Sequence, residues 1–131
     1  MPEEEAKAER NYLLAMNLSK QPNICSLSNK EEISVILSNG KKVNTKFGPV
    51  YFYSVQEDTR NRIAILLKKK IGKAYYRNYI KRTIRFYIRS EITLLGKYNR
   101  VIFLYRYMGP VKYYQLKNEY NFKIKENLIL N

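Results

Sequence analysis

The sequence has no histidine and a single cysteine, Cys25. Without an imidazole there is no His-based acid–base chemistry, no Ser-His or Cys-His triad and no His-ligated metal. One cysteine makes neither an internal disulfide nor a thiolate zinc site, which fits a reducing, intracellular setting. Long apolar runs are missing as well. The longest nearly apolar stretch is VIFLY at 101–105, far short of the ~20 residues a membrane helix needs. The N-terminus, MPEEEAKAER, is acidic where a secretory signal would be basic, and no apolar segment follows it. A soluble cytoplasmic protein is the expectation, with no membrane partner.

Acids are scarce and unevenly placed. Eleven Asp and Glu stand against 25 Lys and Arg, for a net charge of +14. Four of the acids (Glu3, Glu4, Glu5 and Glu9) lie in the first ten residues, and the rest of the chain carries +16. Two-metal hydrolysis needs clustered carboxylates. Only Glu31-Glu32 and Glu57-Asp58 are adjacent among the remaining acids, at a helix start and in a turn, where acids commonly cap or solvate. Residues 60–89 hold eleven Lys or Arg and no acid. A merely solvated face of that composition would repel itself, so it points to a polyanionic partner.

With 131 residues, 45% of them apolar, the chain can build one packed domain. Residues 1–25 read as an acidic N-terminal extension and linker, with a possible helix over 1–16 and a linker over 17–27, and residues 26–131 as the domain. Ser28 with Glu31 makes a capping box for a short helix on Ile33, Ile36 and Leu37, and Gly40 fits its stop. FGPVYFYSV at 47–55 predicts a strand, with Pro49 implying an edge or a bulge. RIAILLK at 62–68 predicts a strand buried on both faces. KKKIGK is a basic loop before a helix from about Ala74 to Leu95, ended by Gly96 and Asn99. RVIFLYRYM at 100–108 is another strand, broken by Gly109-Pro110, and a closing amphipathic helix follows. The fold class is α+β: one small mixed sheet packed by helices, in the order α-β-β-(β)-α-β-α.

The central helix has two arcs at about 100° per residue. Tyr76, Ile80, Thr83, Ile84, Tyr87 and Ile88 gather as the core face. Arg77, Asn78, Lys81, Arg82, Arg85 and Arg89 fill the neighbouring arc. Arg77, Lys81, Arg85 and Arg89 follow i, i+4 spacing, where like charges destabilise an isolated helix by a few tenths of a kcal/mol per pair. Phosphates along that arc would offset the repulsion. Tyr79 and Phe86 fall away from the core arc, as rings that could stack on bases or as partly covered structural aromatics.

The run KKKIGKAYYRNYIKRTIRFYIR at 68–89 resembles the signature of the bacterial ribonuclease P protein subunit. That signature is a basic loop, then Gly-Lys-Ala, two hydrophobic positions, Arg-Asn-x-hydrophobic-Lys-Arg and a further Arg. Here it stands ungapped as Gly72, Lys73, Ala74, Arg77, Asn78, Ile80, Lys81, Arg82 and Arg85. Leu27, Ile33, Gly40, the segment 47–53 and Arg106 fit the flanking pattern, so the resemblance covers about residues 26–125. Ser26 stands where the family usually has Arg, Ile33 where it has Phe, and Tyr79 at the third position of its Arg-Asn-Arg motif.

The resemblance implies the protein component of an endoribonuclease that matures tRNA 5′ ends, with catalysis carried by the large RNA. It implies magnesium ions in the holoenzyme, held mainly by that RNA, and none bound by the protein alone. The partners implied are the catalytic RNA and the 5′ leader of precursor tRNA, with no DNA. The residues expected to face the catalytic RNA are Lys68, Lys69, Lys70, Lys73, Arg77, Asn78, Lys81, Arg82, Arg85 and Arg89. Those expected at the leader are Ile33, Leu37, Phe47 and Tyr51. The family fold also carries a left-handed β-α-β crossover. The alternative on composition alone is a ribosomal-type structural protein bound to ribosomal RNA. A DNA-binding regulator is disfavoured by the long central helix, since it would need a short recognition helix after a tight turn.

Overall fold

The computed structural model describes residues 24–58, 60–91 and 98–129. The helix expected over 1–16 lies outside them. Strand β1, Ile24–Ser26, is followed by helix α1, Lys30–Asn39, and strand β2, Lys41–Val43. Strands β3, Val50–Tyr53, and β4, Asn61–Leu67, come next. A 3-10 turn at Lys69–Ile71 leads into helix α2, Ala74–Ser90. Strand β5, Arg100–Tyr105, and helix α3, Tyr113–Ile129, complete the chain.

The strands form one mixed sheet in the order β1-β4-β5-β3-β2. β1, β4 and β5 run parallel, while β3 pairs antiparallel with both β5 and β2. The adjacent parallel strands β4 and β5 are joined through α2, a β-α-β unit. β2, β3 and β4 fill the expected β-β-(β) stretch between the first two helices, and β1 is an addition that replaces the C-terminal end of the expected linker. β3 is an internal strand, not an edge. Pro49 sits just before it, where its carbonyl accepts from Leu104 N at 3.0 Å.

Strand alternation sends side chains to two faces. Val50 and Phe52, Ile63, and Val101, Phe103 and Tyr105 point to one face. They pack there with Ile80, Ile84, Tyr87 and Ile88 of α2 and Leu116, Tyr120 and Ile124 of α3. The opposite face is thinner. α1 lays Ile36 and Ile33 over Ala64 and Ile102, with Tyr51, Tyr53 and Leu66 partly buried alongside.

The start of α1 is capped by Asn29, not by Ser28. The Asn29 Oδ1 accepts from Glu31 N at 2.9 Å and Glu32 N at 3.2 Å, satisfying two of the helix's free donors. Gly40 ends α1 with extended backbone, φ −71°. A Cβ there would meet the Ile36 carbonyl oxygen at 2.6 Å, so glycine is needed for close approach and not for a left-handed turn. Helix α2 ends at Ser90, short of the expected Leu95; Leu95 and Gly96 lie outside the described residues. Asn99 does not terminate α2. Its side chain bonds both backbone groups of Val55 and the Asp58 carbonyl, fastening the β3–β4 turn to the start of β5. Among the described residues no helix is long and apolar enough to cross a membrane.

Candidate nucleic-acid interface

The basic surface begins at the 3-10 turn. Ile71 is buried and anchors that turn in the core, which leaves Lys68, Lys69, Lys70 and Lys73 exposed around it. α2 then starts with no acid in its first turn and no side-chain cap. Its free N–H groups and positive dipole end therefore add to the lysine field. Along α2, Asn78, Arg82 and Arg85 are exposed, while Arg77, Lys81 and Arg89 are half-buried. The Arg77 Nε is enclosed, with no hydrogen-bond partner among the described residues. Arg85 and Arg89 reach the edge strand β1, where with Cys25, Ser26, Ile63, Ile65 and Ile88 they line a pocket of about 120 Å³. Among the described residues none of these lysines and arginines is paired with an acid. That charge is thus unneutralised among the described residues.

The core arc expected for α2 is the arc observed: Ile80, Thr83, Ile84, Tyr87 and Ile88 are buried and Tyr76 is partly so. Tyr79 and Phe86 do not point away from packing. Phe86 is 8% exposed and its ring lies 4.8 Å from that of Tyr113. Tyr79 stacks on Tyr76 and donates to the Val111 carbonyl at 3.4 Å. α3 and the segment before it cover a second side of α2, which buries Phe86 and leaves Tyr79 half-buried, the partly covered structural aromatics that the sequence also allowed.

A second surface lies across the sheet. Tyr51 is half-buried, in register with Lys42 on one side and Ile102 on the other. Tyr53, two residues on, shares its face. With Leu66 of β4 and Ile33 of α1 these rings pack, partly buried, on the face of the sheet that α1 covers, and Leu37 of α1 is 36% exposed. Phe47 corrects the expectation that it belongs here. It is 2% exposed and packs in the core on the opposite face. Tyr53 and Leu66 were not singled out in the sequence. The Tyr51, Tyr53 alternation could have found the first, whereas Leu66 is placed only by strand pairing.

A charged cluster stands at the start of β5. Arg100, first in β5, is 3% exposed and meets Glu32 of α1, Asp58 of the β3–β4 turn and two backbone carbonyls. The Arg60 backbone N–H, followed by the Arg100 and Arg62 guanidinium groups, holds the Asp58 carboxyl down at about 2. Both carboxylates are thereby committed to cations. Among the described residues no three His, Cys, Asp or Glu side chains come together as a metal site.

The chain's relatives share this architecture and sequence pattern. The family described as Ribonuclease P matches residues 22–126. The ribonuclease P protein component of Streptococcus agalactiae is 35% identical over 88 residues, 66% of this chain and 79% of that protein. That of Mycoplasma capricolum is 33% identical over 66 residues, 50% of this chain and 61% of that protein. Among solved structures, the Staphylococcus aureus RNase P protein superposes with a TM-score of 0.71 at 23% identity, covering 81% of this chain and 97% of its own. The Thermotoga maritima RNase P protein gives 0.67 at 22% identity, covering 78% and 96%. These findings do not favour the ribosomal alternative. With the family matched over residues 22–126 and a curated relative 35% identical across 79% of its length, the chain belongs to the ribonuclease P protein family.

Proposed function

We propose that the chain serves ribonuclease P by holding two RNAs on opposite faces of its sheet. The catalytic RNA runs along the basic turn and α2, and the 5′ leader of precursor tRNA enters the cleft of Ile33, Leu37, Tyr51 and Tyr53. The observation that carries this reading is the separation of the two surfaces: unpaired lysines and arginines on one side, half-buried tyrosines on the other. Phosphate contacts position an RNA, and aromatic stacking suits unpaired bases such as those of a leader. Hydrolysis is assigned to the RNA with magnesium ions that it holds, because Glu32 and Asp58 are engaged by Arg100. The work is expected in the cytoplasm, where tRNA precursors are processed.

Two results follow. The protein without RNA should not cleave precursor tRNA, and adding the catalytic RNA and magnesium should restore cleavage; activity of rigorously RNA-free protein would sink the assignment. Tyr51→Ala in the reconstituted enzyme should weaken precursor tRNA binding by about 1–3 kcal/mol, the worth of one base stacked on an aromatic ring, or roughly 5- to 150-fold. Mature tRNA binding and assembly with the catalytic RNA should hardly change, since only the precursor has leader bases to stack. Affinities for both tRNAs measured side by side, with a melting curve of the variant, decide it. Equal loss for both would refute the cleft.

A further inference from the structure

We infer that Arg100 is a positioning residue for the leader cleft, fixing how closely α1 approaches the tyrosine-bearing face of the sheet. This rests on the reading of that cleft as the leader site. Helix α1 has little to seat it: among its residues Ile36 alone is buried, Ile33 is only partly so, and Val35 and Leu37 stay exposed. So thin an apolar contact lets a short helix pivot. A second point of attachment, one turn earlier on the same side, stops the pivot, and Glu32 supplies it by accepting from Arg100 Nε.

The other donors of Arg100 are held elsewhere. Its Nη2 donates to Asp58 Oδ2 at 2.9 Å, and its Nη1 to the carbonyls of Arg60 and Asn99 at 2.9 Å each. The guanidinium is a rigid planar fork, so anchoring three donations on the sheet end fixes the direction of the fourth, toward α1. Arg100 also lies in register with Tyr53 on one side and Arg62 on the other. The clamp therefore adjoins the floor of the cleft. Glu32 and Asp58 are brought together only because the cation lies between them. A buried ion pair is often no better for stability than apolar packing of the same volume. Here the geometry it enforces, a set gap between α1 and the tyrosines, gives it a use that apolar packing would not supply.

The test uses the enzyme reconstituted with its catalytic RNA. Glu32→Ala removes the acceptor, and Glu32→Gln removes the charge but keeps an acceptor oxygen. Tyr51→Ala is measured in parallel. Glu32→Ala is expected to raise the Kd for precursor tRNA roughly 10- to 150-fold, the effect of losing one hydrogen bond to a charged group, and to leave mature tRNA binding unchanged. Glu32→Gln should recover most of the loss, which a purely electrostatic role of the carboxylate would not allow. If Tyr51→Ala weakens precursor binding and Glu32→Ala does not, the cleft stands and the clamp is overturned. Equal loss of precursor and mature tRNA in Glu32→Ala, or no recovery with Gln, also overturns it. If neither Tyr51→Ala nor Glu32→Ala affects precursor binding, the cleft reading and the clamp fall together.

Discussion

Phe47→Ala is expected to lower stability by about 3–5 kcal/mol, the usual cost of emptying a well-packed aromatic site. The ring is 2% exposed. It lies parallel to Tyr105 with centroids 5.8 Å apart, and edge-on to Tyr107 at 5.2 Å and Tyr120 at 5.9 Å. Truncation would leave three aromatic neighbours facing a cavity. They cannot collapse into it easily, because Tyr105 is fixed in β5 and Tyr120 in α3. The melting temperature should fall by more than about 10 °C for a domain of this size. Under conditions where the variant remains folded, precursor and mature tRNA should be bound with the same ratio as by the wild type. Denaturant unfolding and paired affinity measurements check both parts. A stable variant that loses precursor binding alone would return Phe47 to the cleft.

The family resemblance places Phe47 at the leader, and a single strand over 47–55 would agree, because it puts residues 47, 49, 51 and 53 on one face. In the structure Thr45 to Gly48 form a turn, closed by Thr45 Oγ1 donating to the Gly48 carbonyl at 2.6 Å. Gly48 adopts φ +128°, and a Cβ there would lie 2.1 Å from the Leu104 carbonyl oxygen. The strand begins only at Val50, so the alternation is reset and Phe47 falls to the other side. Period-2 reasoning holds within a strand and fails across a turn that glycine and proline had already marked. β1 was missed for another reason: it has three residues, too few to show a period, and pairing alone makes it a strand. The arcs of α2 were legible because 17 residues display the helical repeat many times over. What the wheel could not show is that α3 would cover Phe86 and Tyr79. Arg100 was the least legible residue. Its acids lie 68 and 42 positions away, and no local pattern announces a contact of that range.

Replacing Arg77, Lys81 and Arg85 together by Ala should leave the fold intact and remove a large share of the affinity for the catalytic RNA. None of the three belongs to the buried cluster, and alanine is the best helix former. Their mutual i, i+4 repulsion would also be relieved, so the melting temperature should hold or rise. Binding behaves oppositely. Each phosphate neutralised by a basic side chain contributes about 0.7–0.9 to the slope of log affinity against log salt, so three lost contacts should flatten the slope by roughly 2 to 2.7. Over a fourfold rise in salt the wild type would then lose roughly 20- to 40-fold more affinity than the variant. The gap between the two proteins is therefore widest at low salt, where the measurement is most sensitive. Stability and slope must diverge for the arc to be an RNA face. A variant with lowered melting temperature and unchanged slope would show that these side chains support α2 instead, and that the catalytic RNA is held elsewhere on the chain.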